Sequence, residues 1–372
     1  MPMPPDKTGP LDMPSGLKTG LDRGKALLRS GAAAVAPAIG HVRAGFAQVV
    51  GSSQREGSPW IGLGAVVQRE FADNLSSVRM RLLQLLVFVT GFAAAYSTLG
   101  EIKNVASLIG DDPFIFLKIF TVSKESLPSF LAFLVFLIPI VALTLGFDSI
   151  NGEFNRRTMS RILAQPIYRD ALLVGKFLAG LATLAVFLSA LWLFIMGLGL
   201  WMIGLPPSLE EVVRGLLFLV AAIAYGGVWL AVSMLFSIYF RSTATSALAG
   251  LSLWLLFAVF WPMIVPNLTA AFVTIDPYDV RSQIAAIDIA QGLYRLSPNT
   301  LFAETAQALL NPTTRTLGAY LPSQMVGAVQ GAPLPLVQSL LLIWPQLTSL
   351  IASLVLLFTL AYVSFQRQEV RA

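Results

Sequence analysis

Residues 172–204 read LLVGKFLAGLATLAVFLSALWLFIMGLGLWMIG, with Lys176 as the single charged side chain. A run of this length exceeds the ~18–20 apolar residues needed to cross a bilayer core of ~30 Å. Five more apolar runs surround it, at 82–100, 127–147, 212–240, 245–265 and 337–363. No Asp, Glu, Lys or Arg stands near the centre of any of them. A charge at the midplane costs about 2.5–3.5 kcal/mol and marks an ion path or proton relay; these spans offer no such means of tapping an ion gradient. Lys176 and Arg214 fall near span ends, where long side chains are expected to snorkel to the interface. The pattern predicts an all-α, polytopic membrane protein with six transmembrane helices.

Composition agrees: 56% of the 372 residues are hydrophobic and 12% are charged, against about 25% charged in soluble domains. The chain has no cysteine, which excludes disulfides, thiolate metal sites and cysteine nucleophiles. The single histidine, His41, excludes paired-histidine metal motifs. With both termini cytoplasmic, 18 of the 25 Lys and Arg residues lie inside and 7 outside, as the positive-inside rule requires. Topology thus accounts for the net charge of +5 without a nucleic-acid partner.

Residues 1–59, rich in Pro, Gly and Ala, read as a cytoplasmic flexible or membrane-surface tail. Residues 60–81 read as an amphipathic interfacial helix: Trp60, Ile61, Leu63, Val66, Val67 and Phe71 form its apolar side, and Arg69, Glu70, Asp73, Arg79 and Arg81 its wet side. The six-span domain occupies 82–372. In the first external segment, Asp111-Asp112-Pro113 reads as a solvated turn that starts a helix. Pro206-Pro207 ends the third span, and Ser208 caps a fourth opening with Glu210 and Glu211. Arg241-Ser242-Thr243 forms a tight turn before span five. The external segment, about 266–336, is too long for a simple connection. Helical spacing over 278–295 and a helix from Ser297-Pro298 to Asn311-Pro312 make it a small helical cap between spans five and six. Intramembrane Thr144, Ser189, Ser233 and Ser252 offer hydroxyls that could line a path, but the reading preferred is that they bond to their own helix backbone.

The segment between spans two and three is the most distinctive. It predicts a short helix at about 149–165, with Ser149 or Asn151 at its cap, Glu153 in the first turn and Pro166 closing it. Arg156, Arg157 and Arg161 form a basic face. A rigid helix joined to two spans is a lever, but by charge alone a basic loop that merely orients the protein is the better reading.

Gly152-Glu153 before a basic stretch, then Leu163-Ala164-Gln165-Pro166-Ile167-Tyr168-Arg169, then Gly175-Lys176, resembles the signature of type-2 ATP-binding-cassette (ABC) exporter permeases. Arg69-Glu70, Leu296-Ser297-Pro298 with Leu301-Phe302, and the ending Phe365-Gln366-Arg367-Gln368-Glu369-Val370 are similar to further phrases of that family, so the likeness runs over about 60–372. Within the family it is similar to the branch of copper-enzyme maturation and gliding-motility permeases. The resemblance implies a permease subunit, multi-pass in the bacterial inner membrane, without its own ATPase site. Gly152, Glu153, Arg156, Arg157, Arg161, Pro166 and Arg169 would couple it to a cytoplasmic ABC ATPase. A second permease copy or sister permease would complete the pathway in the lipid bilayer, and ATP and Mg would bind the partner ATPase, with no cofactor in this chain. Gly24-Lys25 and Gly175-Lys176 lack the preceding Gly and following Ser or Thr of a phosphate-binding P-loop.

Three other function classes compete. An intramembrane enzyme would need a metal cluster, a cysteine or an acid/base pair that the spans lack. A gradient-driven carrier or channel conflicts with the uncharged spans, although sodium sites built from carbonyls and hydroxyls would leave no such mark. A permease-like scaffold without transport is the third. The cargo is not written in the sequence.

Overall fold

The computed structural model describes residues 62–109, 114–122, 128–158, 168–204, 206–274, 276, 278–318 and 333–367. The tail 1–59, Trp60, Ile61, the Asp111-Asp112-Pro113 turn, Arg161, Pro166 and residues 368–372 lie outside them. Among the described residues the elements are helical, and six helical stretches are long and apolar enough to cross a membrane.

Helix α1 (Leu63–Ser76) is followed by Ser77 in an extended conformation, whose hydroxyl accepts from Met80 N–H and so caps α2 (Val78–Ile109). The single interfacial helix expected over 60–81 is therefore divided. Arg79 and Arg81 belong to the first turns of span 1, because Ser77 supplies the cap that starts a new helix. On the external side, α3 (Ile115–Thr121) buries Phe116, Leu117, Ile119 and Phe120.

Span 2 is α4 (Phe130–Gly146), with Pro139 inside it. A single helical turn, α5 (Asn151–Asn155), follows. Span 3 is α6 (Arg169–Ile203), and Gly204, with φ 77°, stops it just before the two prolines. Span 4 is α7 (Leu209–Tyr239). It opens with a capping box in which Ser208 and Glu211 each accept from the other's backbone N–H. The second oxygen of Glu211 accepts from Phe116 N–H at 2.9 Å and so holds the start of α3.

Span 5 is α8 (Thr243–Leu255), a π-helical turn at Leu256–Phe260, and α9 (Trp261–Phe272). Pro262 has no N–H to return to the preceding turn, and the wider π turn absorbs the mismatch. The external cap is α10 (Val280–Tyr294) and α11 (Pro298–Leu310), with Pro298 in the first turn of α11. Span 6 is α12 (Leu336–Arg367).

Span 4 is the axis of the bundle: it packs against spans 2, 3 and 6 and against α11. It is also the most enclosed span, with 67% of its apolar window buried against 17% for spans 5 and 6. Close approach is licensed at a few glycines. A Cβ on Gly146 would meet Ser233 Cβ at 2.7 Å, and one on Gly227 would meet Leu354 at 2.6 Å.

Arg214 does not snorkel. Its side chain is 0% exposed. It donates to Leu309 and Leu334 carbonyls at 3.3 and 2.6 Å and to Ser339 Oγ at 3.1 Å, and it pairs with Glu210 at 2.8 Å. Leu309 lies in the last turn of α11, where carbonyls lack intrahelical partners. The cation supplies them and clamps the cap to the start of span 6.

Candidate functional site

The site is built around α5, and local chemistry explains its form. Span 2 ends at Gly146, and Ser149 turns the chain by bonding back to the Gly146 carbonyl at 2.8 Å. A one-turn helix leaves its first N–H groups without partners. Ile150 and Asn151 find theirs in span 4: both N–H groups donate to Ser237 Oγ, at 3.0 and 3.2 Å. Asn151 is the first helical residue rather than the cap, and its amide donates to the Phe240 carbonyl at 3.2 Å. The Asn155 amide donates to the Arg241 carbonyl at 3.1 Å.

Of the helix expected over 149–165, residues 149–158 are described, and there the helical turn ends at Asn155; residues 159–165 lie outside the described residues. Arg157 takes a left-handed conformation, φ 56°, and Arg157 and Thr158 N–H groups return to the Phe154 and Glu153 carbonyls, both at 3.0 Å. This is a Schellman termination with arginine where glycine usually stands. The Thr158 hydroxyl also bonds the Glu153 carboxylate. Arg156 and Arg157 point outward and are exposed, whereas Gly152 is buried.

Lys176 lies inside rather than at the interface, its side chain 3% exposed. Its ammonium sits 2.6 Å from Glu70 of α1 and 3.4 Å from Glu153 of α5. Its neighbour explains the approach of α1: a Cβ on Gly175 would meet Val66 Cγ1 at 2.7 Å. Val66 and Glu70 are one turn apart on α1 and face Gly175 and Lys176 in register. Leaving such a group unpaired would cost several kcal/mol, so α1, α5 and span 3 are held to one another. Arg79 adds a fourth tie, from span 1 to Asp148 at 2.8 Å, over the Phe147 ring. Between these elements lies a cavity of about 330 Å³, with a charged rim that includes Arg69, Asp73 and Arg156 and a floor of Leu145, Leu230 and Met234.

Of the residues singled out from the sequence, the structure brings Gly152, Glu153, Arg156 and Arg157 together. Arg169 is elsewhere: it donates to the Phe365 carbonyl at 3.0 Å and lies over the Phe365 ring, and the adjacent Asp170 meets Gln366. It ties span 3 to the end of span 6. Arg161 and Pro166 fall outside the described residues. Sequence reasoning missed Ser237, Asn155 and the charge role of Lys176. A signal for Lys176 existed in the matched spacing of Val66/Glu70 and Gly175/Lys176.

Residues 64–370 match the family described as ABC-2 family transporter protein. The chain is 30% identical over 208 residues to a probable ABC transporter permease protein, NosY, of Pseudomonas aeruginosa, across 53% of this chain and 67% of that protein. It is 26% identical over 152 residues to the corresponding protein of Stutzerimonas stutzeri, across 39% of this chain and 53% of that one. With a match over nearly the whole helical body, the chain belongs to the ABC-2 transporter family.

Proposed function

We propose that this chain, a multi-pass permease subunit of an ABC transporter, is an exporter moved by a separate cytoplasmic ATPase that docks on α5. The observation carrying the proposal is the two-sided construction of that helical turn. Its outer side offers Arg156 and Arg157 to a partner. Its inner side is bonded to span 4 through Ser237, to span 3 and α1 through Lys176, and runs directly into span 2. A load applied outside is passed to three spans at once. ATP and Mg belong to the partner's chemistry, and a second permease copy or a sister chain completes the assembly.

The roles divide between the two faces. Arg157→Glu reverses an exposed charge and is expected to weaken copurification with the ATPase. Glu153→Ala removes an inward anchor and is expected to leave the ATPase bound but hydrolysing ATP without moving the permease. Measuring bound ATPase and its hydrolysis rate for both variants tests the proposal. Wild-type binding by the Arg157 variant and wild-type coupling by the Glu153 variant would refute the site.

A further inference from the structure

Span 4 carries Tyr225, Trp229, Ser233 and Ser237, each four residues after the last and so on one face of the helix. All four are buried. Three of the four bond to other elements, not to their own helix. Ser237 Oγ accepts the two opening N–H groups of α5, and so caps a helix that has no side-chain cap of its own. Ser233 Oγ donates across to the Leu143 carbonyl of span 2 at 2.7 Å. This overturns the expectation that its hydroxyl serves its own backbone; Gly146 lets the two helices close enough for the exchange.

At the upper end, Pro139 leaves the Val135 carbonyl, four residues earlier, without its helical N–H. Tyr225 Oη supplies it, donating at 2.8 Å. The hydroxyl's single proton is shared between that carbonyl and Asn299 Oδ1, which lies 2.7 Å away. Asn299 lies in the first turn of α11, and the Tyr225 ring stacks on Phe302 of the same helix, with centroids 4.5 Å apart and planes at 8°. Trp229 fills the row between Tyr225 and Ser233. From Tyr225 to Ser237 the row rises ~18 Å, more than half of a ~30 Å bilayer core.

We infer that this row is a strut: it fixes α5, span 2, span 4 and α11 into one rigid body, so that displacement of α5 at the cytoplasmic end appears at the external cap without loss. Ser237 and Tyr225 are its positioning residues, one gripping the lever and the other gripping the cap. Hydrogen bonds hidden from water suit this role, because breaking one leaves a buried polar group without a partner. A slipping contact would instead exchange with solvent at little cost. The strut rests on the docking proposal above but goes beyond it, since a docked ATPase could equally bend α5 against fixed spans.

The chain's lack of cysteine makes the test direct. Spin labels are placed on two double variants, Ser149→Cys with Gln307→Cys and Tyr96→Cys with Gln307→Cys, in the full chain assembled with its ATPase in nanodiscs. Distances are read without nucleotide and after trapping with ATP, Mg and vanadate. The first pair lies at the two ends of the strut and is expected to keep its distance. The second joins span 1 to the cap and is expected to shift. A shift in the first pair overturns the strut and leaves ATPase-driven motion standing; no shift in either overturns the docking proposal and the strut with it. Ser237→Ala is then expected to abolish the Tyr96–Gln307 shift while ATP hydrolysis continues, and Ser237→Thr, which keeps the hydroxyl, to restore it. A shift that survives Ser237→Ala removes Ser237 from the mechanism.

Discussion

Lys176 holds one ammonium between two carboxylates, and the geometry is unequal: 2.6 Å to Glu70 and 3.4 Å to Glu153. The three groups carry a net charge of −1, so removing the lysine does more than delete two ion pairs. It leaves Glu70 and Glu153, both mostly buried, facing each other without a counter-ion. Lys176→Met is therefore expected to destabilise the chain by about 3–5 kcal/mol, the range for breaking a buried pair by removing one partner. The triple change Lys176→Met, Glu70→Gln, Glu153→Gln removes every charge together and is expected to lose much less. Thermal unfolding of both variants in detergent decides the matter; equal losses would show that the lysine stem's packing, and not its charge, holds α1 in place. Arg157 shows the opposite economy at a neighbouring residue. Its left-handed backbone costs about 1–2 kcal/mol against an ordinary conformation, a strain that the bonds from Arg157 and Thr158 N–H to the Phe154 and Glu153 carbonyls offset where α5 ends.

At the level of elements, the pairing of Pro139 in span 2 with Tyr225 in span 4 is a two-part repair, and its parts are separately testable. Tyr225→Phe keeps the ring on Phe302 but leaves the Val135 carbonyl and the Asn299 amide unsatisfied, which is expected to destabilise by about 1–3 kcal/mol. Adding Pro139→Ala returns an N–H to Val135 within the helix, and part of the loss is expected to be recovered in the double variant. Thermal unfolding of the single and double variants checks this; no recovery would mean that Tyr225 does not serve the proline's orphaned carbonyl.

The same pair shows where sequence reading stops. Each span was legible because bilayer crossing is a property of a single run of residues: length and missing charge suffice, and the stretch 172–204 needs no neighbour to be recognised. The Ser208 cap and the Pro298 helix start were legible for the same reason. A carbonyl orphaned at Val135 and relieved from position 225 is a long-range fact, invisible to any window along the chain. The early end of α5 was hidden differently. A glycine or asparagine at position 157 would have signalled the stop, and an arginine there gave none. Lys176 was misplaced because hydropathy weighs a span alone, whereas its burial is imposed by α1 folding back onto Gly175.

For the molecule as a whole, the decisive quantity is which end faces the cytoplasm, since the proposed docking surface has meaning on that side only. With both termini cytoplasmic, the sequence would put 18 Lys and Arg inside and 7 outside, the asymmetry from which this orientation is expected. The bundle supplies a consistent division of labour. Its α5 end carries the outward-pointing Arg156 and Arg157, and the opposite end carries the α10–α11 cap, where Tyr278 is 95% exposed. The native chain offers no thiol to a cysteine reagent, so single cysteines report without background. In intact cells a membrane-impermeant maleimide is expected to label Tyr278→Cys directly and Arg156→Cys only after the membrane is permeabilised. The reverse pattern would place α5 outside, beyond the reach of any cytoplasmic ATPase. If both sites were labelled in intact cells, the α5 end and the cap would lie on one side, which six crossings and this bundle do not permit. With the expected pattern, a nucleotide-driven motor can reach the α5 end, and span 4, the most enclosed of the six, is the element that joins that end to the cap.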